Sequence, residues 1–287
     1  MSRFANYHKI LQLDPRADHQ QIVYLDAVYE FPWLLTKSLE FALFRTFAVP
    51  SIAQLLDKTQ QFAKHGQRRY DDTTLIIAEI SEHGYDSPRG RAAIRRMNRL
   101  HGRFDISNED YLYVLSTFIF EPGRWIDRYG WRKTSENEKL ASYYFWYEVG
   151  RRMGIRDMPG SYAAFEQFNI AYEREHFRFH PANYRVGEAT MQVFLNWYPK
   201  PLHPVVREVV YAMLDAPLRE AFGFPGASSS VSAMVSGGLK LRGRLIRYLL
   251  PPRTRPRIFT VIPTRTYPTG YTIERLGPID VPRDRER

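Results

Sequence analysis

"RAAIRRMNRLHGRFDIS", residues 91–107, sets Ala93, Ile94, Met97, Leu100, His101 and Phe104 at three- and four-residue spacings, the stripe of one helix face. Working outward, Ser87 and Pro88 supply an N-cap and a first-turn proline for that helix. On the other side, Ser107 with Asp110 approximates a capping box before "YLYVLSTFIF", residues 111–120. That decamer is apolar on nearly every face and is expected as a buried central helix. His101 sits in the middle of the first stripe, and Arg91, Arg95, Arg99 and Arg103 cover much of the remaining circumference. Two readings of the histidine stand side by side. It is either a core imidazole satisfied by one hydrogen bond, or a ligand for a metal or haem iron, with the arginines as partners for propionates.

The same signals recur along the chain. "EFPWLLTKSLEFALFRTFAVPSIAQLLDKTQQFAKHG", residues 30–66, reads as two or three buried helical pieces punctuated by Pro32 and Pro50 and ended by Gly66. "RRYDDTTLIIAEISEHG" follows as a helix closing near Gly84. Pro122 and Gly123 break the central helix, Ser135 with Glu138 forms a capping box, and Ser161 caps "YAAFEQFNIAYEREHFRF". Further helices fit 185–198 and 204–221. No internal repeat is visible. After the small-residue stretch "GFPGASSS" comes a basic amphipathic segment, then a Pro- and Thr-rich tail without helical period. The expectation is an all-α helical bundle over residues 1–225, with residues 226–287 as an irregular C-terminal arm packed on the same domain.

Composition narrows function. At 287 residues, 44% hydrophobic and 15% aromatic, the chain has a globular make-up. The absence of cysteine excludes disulfides, thiolate metal ligands and a cysteine nucleophile. There is no apolar h-region at the N-terminus and no charge-free apolar run of roughly 18 to 20 residues, so a cytoplasmic protein is expected. A net charge of +10 calls for anionic partners: nucleic acid, lipid headgroups or cofactor carboxylates. The aromatics lie within apolar helical stripes, not interleaved with basic residues, which argues against nucleic acid. The segment 239–250 alternates Lys240, Arg242, Arg244 and Arg247 with leucines and Ile246. It suits docking on the helical body or lying peripherally on an anionic membrane. "YEREHFRFH" sets Glu173, His176 and His180 at i, i+3 and i+7, half of a carboxylate-bridged metal site whose second half is missing. Zinc-hydrolase, phosphate-loop and serine-elbow motifs are absent.

Upstream of His101, in "HGQRRYDDTTLI", Arg69 and Thr73 lie four apart and share a helix face, a fixed cation beside a hydroxyl. An Arg-x-x-x-Thr segment, a helix with a central histidine, a Tyr- and Phe-rich buried helix and the "YGWR" turn at residues 129–132 follow in order. Over roughly residues 20 to 225 this order resembles the family uniting the fungal mycophenolic acid pathway oxygenase with the bacterial latex-clearing rubber oxygenases. The resemblance implies a globin-like core holding one haem b, with His101 as axial iron ligand and Arg69 and Thr73 as the polar pair of the haem pocket. It also implies oxygenation or oxidative cleavage of an apolar, isoprenoid-type substrate by dioxygen. Rubber oxygenases carry a lysine directly before that threonine, where this chain has Asp72; the catalytic glutamate of those enzymes has no assignable position. These departures bring the chain closer to the fungal branch. A non-catalytic haem binder or membrane-surface helical protein is the alternative.

Overall fold

The computed structural model describes residues 2–278, which hold thirteen α-helices and, among the described residues, no strand. They are α1 (Ala5–Gln12), α2 (His19–Leu25), α3 (Pro32–Phe47), α4 (Pro50–Thr59), α5 (Gln61–His83), α6 (Pro88–His101) and α7 (Asn108–Tyr129). Then come α8 (Glu136–Met153), α9 (Tyr162–His176), α10 (Pro181–Leu195), α11 (His203–Met213), α12 (Ala216–Phe222) and α13 (Ser229–Tyr248). One π-helical turn, Asp26–Glu30, joins α2 to α3. The all-α expectation holds.

Local chemistry explains most boundaries. Ser87, Ser107 and Ser161 each accept a backbone N–H from three residues on, and Ser135 with Glu138 forms the full capping box. The break expected at Gly66 is present as a kink: His65 leaves the helical conformation inside α5, at φ −135° and ψ 33°, and a Cβ on Gly66 would come within 2.5 Å of Val193 Cγ2. One expected break is overridden. Pro122 lies inside α7, whose flanking turns are held by burial on both sides. Conversely, the stretch 204–221 is two helices, since Asp215 ends one and caps the next by accepting from the Leu218 N–H at 3.1 Å.

Two apolar cores meet at α7. One gathers α3, α10 and α12 around Phe44, Phe194 and Phe222; the other gathers α5, α6 and α8 around Leu75, Ile94 and Phe145. Helix α3 packs along α7, and α6 folds back on α5 after a four-residue turn in which Gly84 takes φ 81°. Helix α13 docks on α7 and α11, with Gly243 tight against the Tyr129 and Gly130 carbonyls. From there the arm runs over α5: the Thr266 N–H donates to Asp71 at 2.8 Å, the Tyr267 hydroxyl to Asp72 at 2.6 Å and the Tyr271 hydroxyl to Glu79 at 2.5 Å. Residues 279–287, at the end of the predicted arm, lie outside the described residues.

Candidate active site

His101 is the last residue of α6, its ring edge-on to Tyr111 with 5.8 Å between centroids. Its Nδ1 is fully enclosed and has no hydrogen-bond partner among the described residues. Burial, and after it the charge of Arg69, push the imidazole down to about 4, so it is neutral at physiological pH. Arg91, Arg95 and Arg99 are exposed on α6, and Arg103, just beyond it, is half-buried. The cation that acts on His101 comes from α5 instead.

That cation is Arg69. Burial lowers its pKa, while Asp72 and Tyr267 act to raise it, and no carboxylate lies within ion-pair distance among the described residues. Its neighbour Asp72, 1% exposed, is turned to the arm, taking the Tyr267 hydroxyl on Oδ1 with the Arg68 Nε 3.8 Å from Oδ2. Asp72 thus fastens the arm to α5.

Thr73, one turn beyond Arg69, lines a mostly apolar cavity of about 140 Å³. Leu39 and Leu43 of α3, Ile77 of α5, Phe118 and Pro122 of α7 and Trp146 of α8 form its walls. Ligand pockets run to roughly 300–1,000 Å³, so the space as it stands takes only a small apolar molecule or part of one. Arg69 and His101 are not among the residues bounding this cavity. The three expected site residues therefore fall into two groups: Arg69 with His101, and Thr73 on the cavity wall.

The cavity contains acids that sequence reading missed. Glu40, 5% exposed, accepts from Lys37 Nζ at 2.8 Å and from the Tyr70 hydroxyl at 2.7 Å. Burial raises its carboxyl pKa against the pull of Lys37. Farther along the wall, Asp26 and Glu138 also line the cavity, and Arg132 bridges Glu138 at 2.7 Å and Glu30 at 2.8 Å. Burial, then the neighbouring Glu138 carboxylate, push Asp26 well up, and its Oδ1 has no hydrogen-bond partner. Arg132 is the arginine of the "YGWR" turn, which was the one available signal; Glu40 sits in an apolar run with none.

The rival metal site comes apart. Helix α9 stops at His176 because Pro181 starts a new helix, so Glu173, His176 and His180 do not share one helix. Glu173 is ion-paired with Arg45, His176 Nδ1 donates to the Tyr172 carbonyl at 3.0 Å, and His180 Nδ1 accepts the Ala182 N–H at 3.1 Å as a helix cap. Among the described residues no group of three or more His, Cys, Asp or Glu side chains could hold a metal ion.

Helices of this order around an apolar cavity define an all-α protein whose cavity walls come from α3, α5, α7 and α8. The chain belongs to the family of the ER-bound oxygenase mpaB/B' and rubber oxygenase catalytic domain, matching it over residues 28–255, a span that takes in α13. It is 33% identical over 245 residues to the ER-bound oxygenase mpaB' of Penicillium brevicompactum, covering 79% of this chain and 58% of that protein. It is 32% identical over 213 residues to the ER-bound oxygenase mpaB of Penicillium roqueforti (strain FM164), covering 68% of this chain and 72% of that one. The chain thus spans under three fifths of the first relative's length. In fold it is similar to a solved latex clearing protein in the closed state, with a TM-score of 0.57 and 12% identity over 84% of this chain and 69% of that one.

Proposed function

We propose that this chain is a haem b-dependent oxygenase that uses dioxygen to oxygenate or oxidatively cleave an apolar, isoprenoid-type substrate. The observation that carries the reading is His101: an imidazole held neutral by burial, whose enclosed Nδ1 has no hydrogen-bond partner among the described residues. A core histidine would leave such a nitrogen unsatisfied at a cost of about 1–3 kcal/mol, whereas an iron ligand uses it. Arg69 fits the same group, since a guanidinium with no carboxylate in ion-pair distance among the described residues suits a haem propionate. His101 and Arg69 are the residues that would hold the haem, and when bound it supplies a redox-active iron for dioxygen chemistry.

The chain's own part is binding, orientation and proton control. The leucines, Ile77, Phe118 and Trp146 of the cavity exclude water and receive an apolar molecule. Thr73 contributes a hydroxyl on that wall, able to donate a hydrogen bond to an oxygen atom of substrate or dioxygen. Glu40 holds a proton more tightly than an exposed carboxyl and faces the same space. We place the enzyme in the cytoplasm at a membrane surface, in keeping with relatives named ER-bound and with an apolar substrate.

The absorption spectrum of the purified protein, with a pyridine haemochrome assay, tests the cofactor. A Soret band with near-stoichiometric haem supports the reading, and a haem-free protein that takes up none on titration overturns it. Oxygen uptake on adding isoprenoid alkenes then tests the reaction.

A further inference from the structure

We infer that the outward face of α13 and the turn after it form a docking surface for a bilayer containing anionic lipid. This rests on the membrane placement proposed above, and on neither haem nor oxygenase chemistry.

Charge is the first ground. Residues 221–273 contain eight Lys and Arg and no Asp or Glu. Lys240, Arg244, Arg247, Arg253 and Arg255 are exposed, and none is in an ion pair among the described residues. The shape of α13 is the second. Leu239 and Ile246 pack on the core, Gly243 is buried, and Arg242 lies over Trp33 with 3.9 Å to the ring centroid. Those residues recur at the spacing of one face, so the helix is anchored and its orientation set. The opposite face shows Leu241, Leu245 and Leu249 at 54%, 40% and 73% exposure, with Tyr248 and Leu250 beside them. Water-facing leucines bracketed by free cations are what an interfacial helix presents, aliphatic groups entering the acyl boundary while ammonium and guanidinium groups meet phosphates.

Other occupants suit the face less well. A second copy docked here would set unpaired cations against unpaired cations. Nucleic acid would pair with the arginines but leave four leucines without stacking partners, Tyr248 being the only exposed ring on this face.

The experiment is co-sedimentation of the full chain with phosphatidylcholine vesicles, with and without about a third phosphatidylserine, at low and high salt. Expected is binding to the anionic vesicles only, weakened by salt. Each cation near the surface adds about 1 kcal/mol, so Lys240→Gln and Arg244→Gln should each weaken partitioning about fivefold. Leu245→Ser with Leu249→Ser should weaken it further while circular dichroism stays unchanged. Equal binding to neutral and anionic vesicles, unmoved by these variants, leaves membrane placement standing and overturns this surface. Absence of vesicle binding at low salt overturns both. Oligonucleotide binding that persists at physiological salt, with vesicles ignored, assigns the surface to nucleic acid and overturns it equally.

Discussion

The Tyr267 hydroxyl donates to Oδ1 of Asp72 across 2.6 Å, joining the C-terminal arm to the helix that carries Arg69 and Thr73. The bond spans 195 residues of sequence, and both side chains are buried. Tyr267→Phe leaves the Asp72 carboxylate short of a donor and should destabilise the fold by about 1–3 kcal/mol. Urea unfolding should show a lower midpoint at unchanged slope; an unchanged midpoint would mean the arm adds nothing to stability there.

His101→Ala should give a folded protein that loses nearly all its haem, because the axial imidazole is removed. Circular dichroism with a haemochrome assay checks both halves of the statement. Full haem occupancy in the folded variant would remove His101 as the iron ligand.

Arg69 acts on His101 through charge, so Arg69→Leu should raise the imidazole pKa of haem-free protein from about 4 toward 6.5. In the same variant haem affinity should fall about tenfold or more, the value of a charge-assisted hydrogen bond. Thr73→Val should keep the haem and change cyanide affinity. Proton NMR titration and cyanide titration by absorbance separate these effects.

Stability of the haem-free protein should also depend on pH through His101. The folded state holds this imidazole neutral down to about 4, whereas an unfolded histidine titrates near 6.5. Below 6.5 the unfolded chain therefore binds the extra proton. The contribution is fully present above 6.5 and is lost as pH falls from 6.5 to about 4, reaching about 3 kcal/mol. Denaturation midpoints of wild type and His101→Ala across that window should converge toward the acid end.

Arg132 holds Glu30 and Glu138 with Asp26 beside them, all largely buried. Arg132→Met removes the only cation of the cluster and should cost about 3–5 kcal/mol, the penalty for stranding buried carboxylates. Thermal unfolding should show a marked drop, partly recovered at low pH as the acids protonate. A variant as stable as wild type would show that the three carboxyls are satisfied without it.

Local signals were legible and long-range ones were not. Ser87, Ser107, Ser135 and Ser161 cap their helices as their spacing predicts, because a cap is settled within four residues. Pro122 misled because the packing around α7 outweighs local propensity. His101, Arg69 and Thr73 could be picked out, but the empty hydrogen-bonding capacity of the imidazole depends on surroundings no spacing reveals. Glu40 was invisible inside its apolar run, and the partners of Arg132 lie up to 106 positions away, at Asp26.

The arm also bears on how the protein is made. Glu82, Asp71, Asp72 and Glu79 of α5 receive donors from Phe259, Thr260, Thr266, Tyr267 and Tyr271, all made some 180 to 195 residues later. While the ribosome is still building that stretch, the helix bearing Arg69 and Thr73 holds carboxylates short of their donors. The last step of folding therefore follows synthesis of the arm, whatever the earlier helices have achieved. A nascent chain stalled before residue 259 would carry an α5 whose Asp71, Asp72, Glu79 and Glu82 lack these donors.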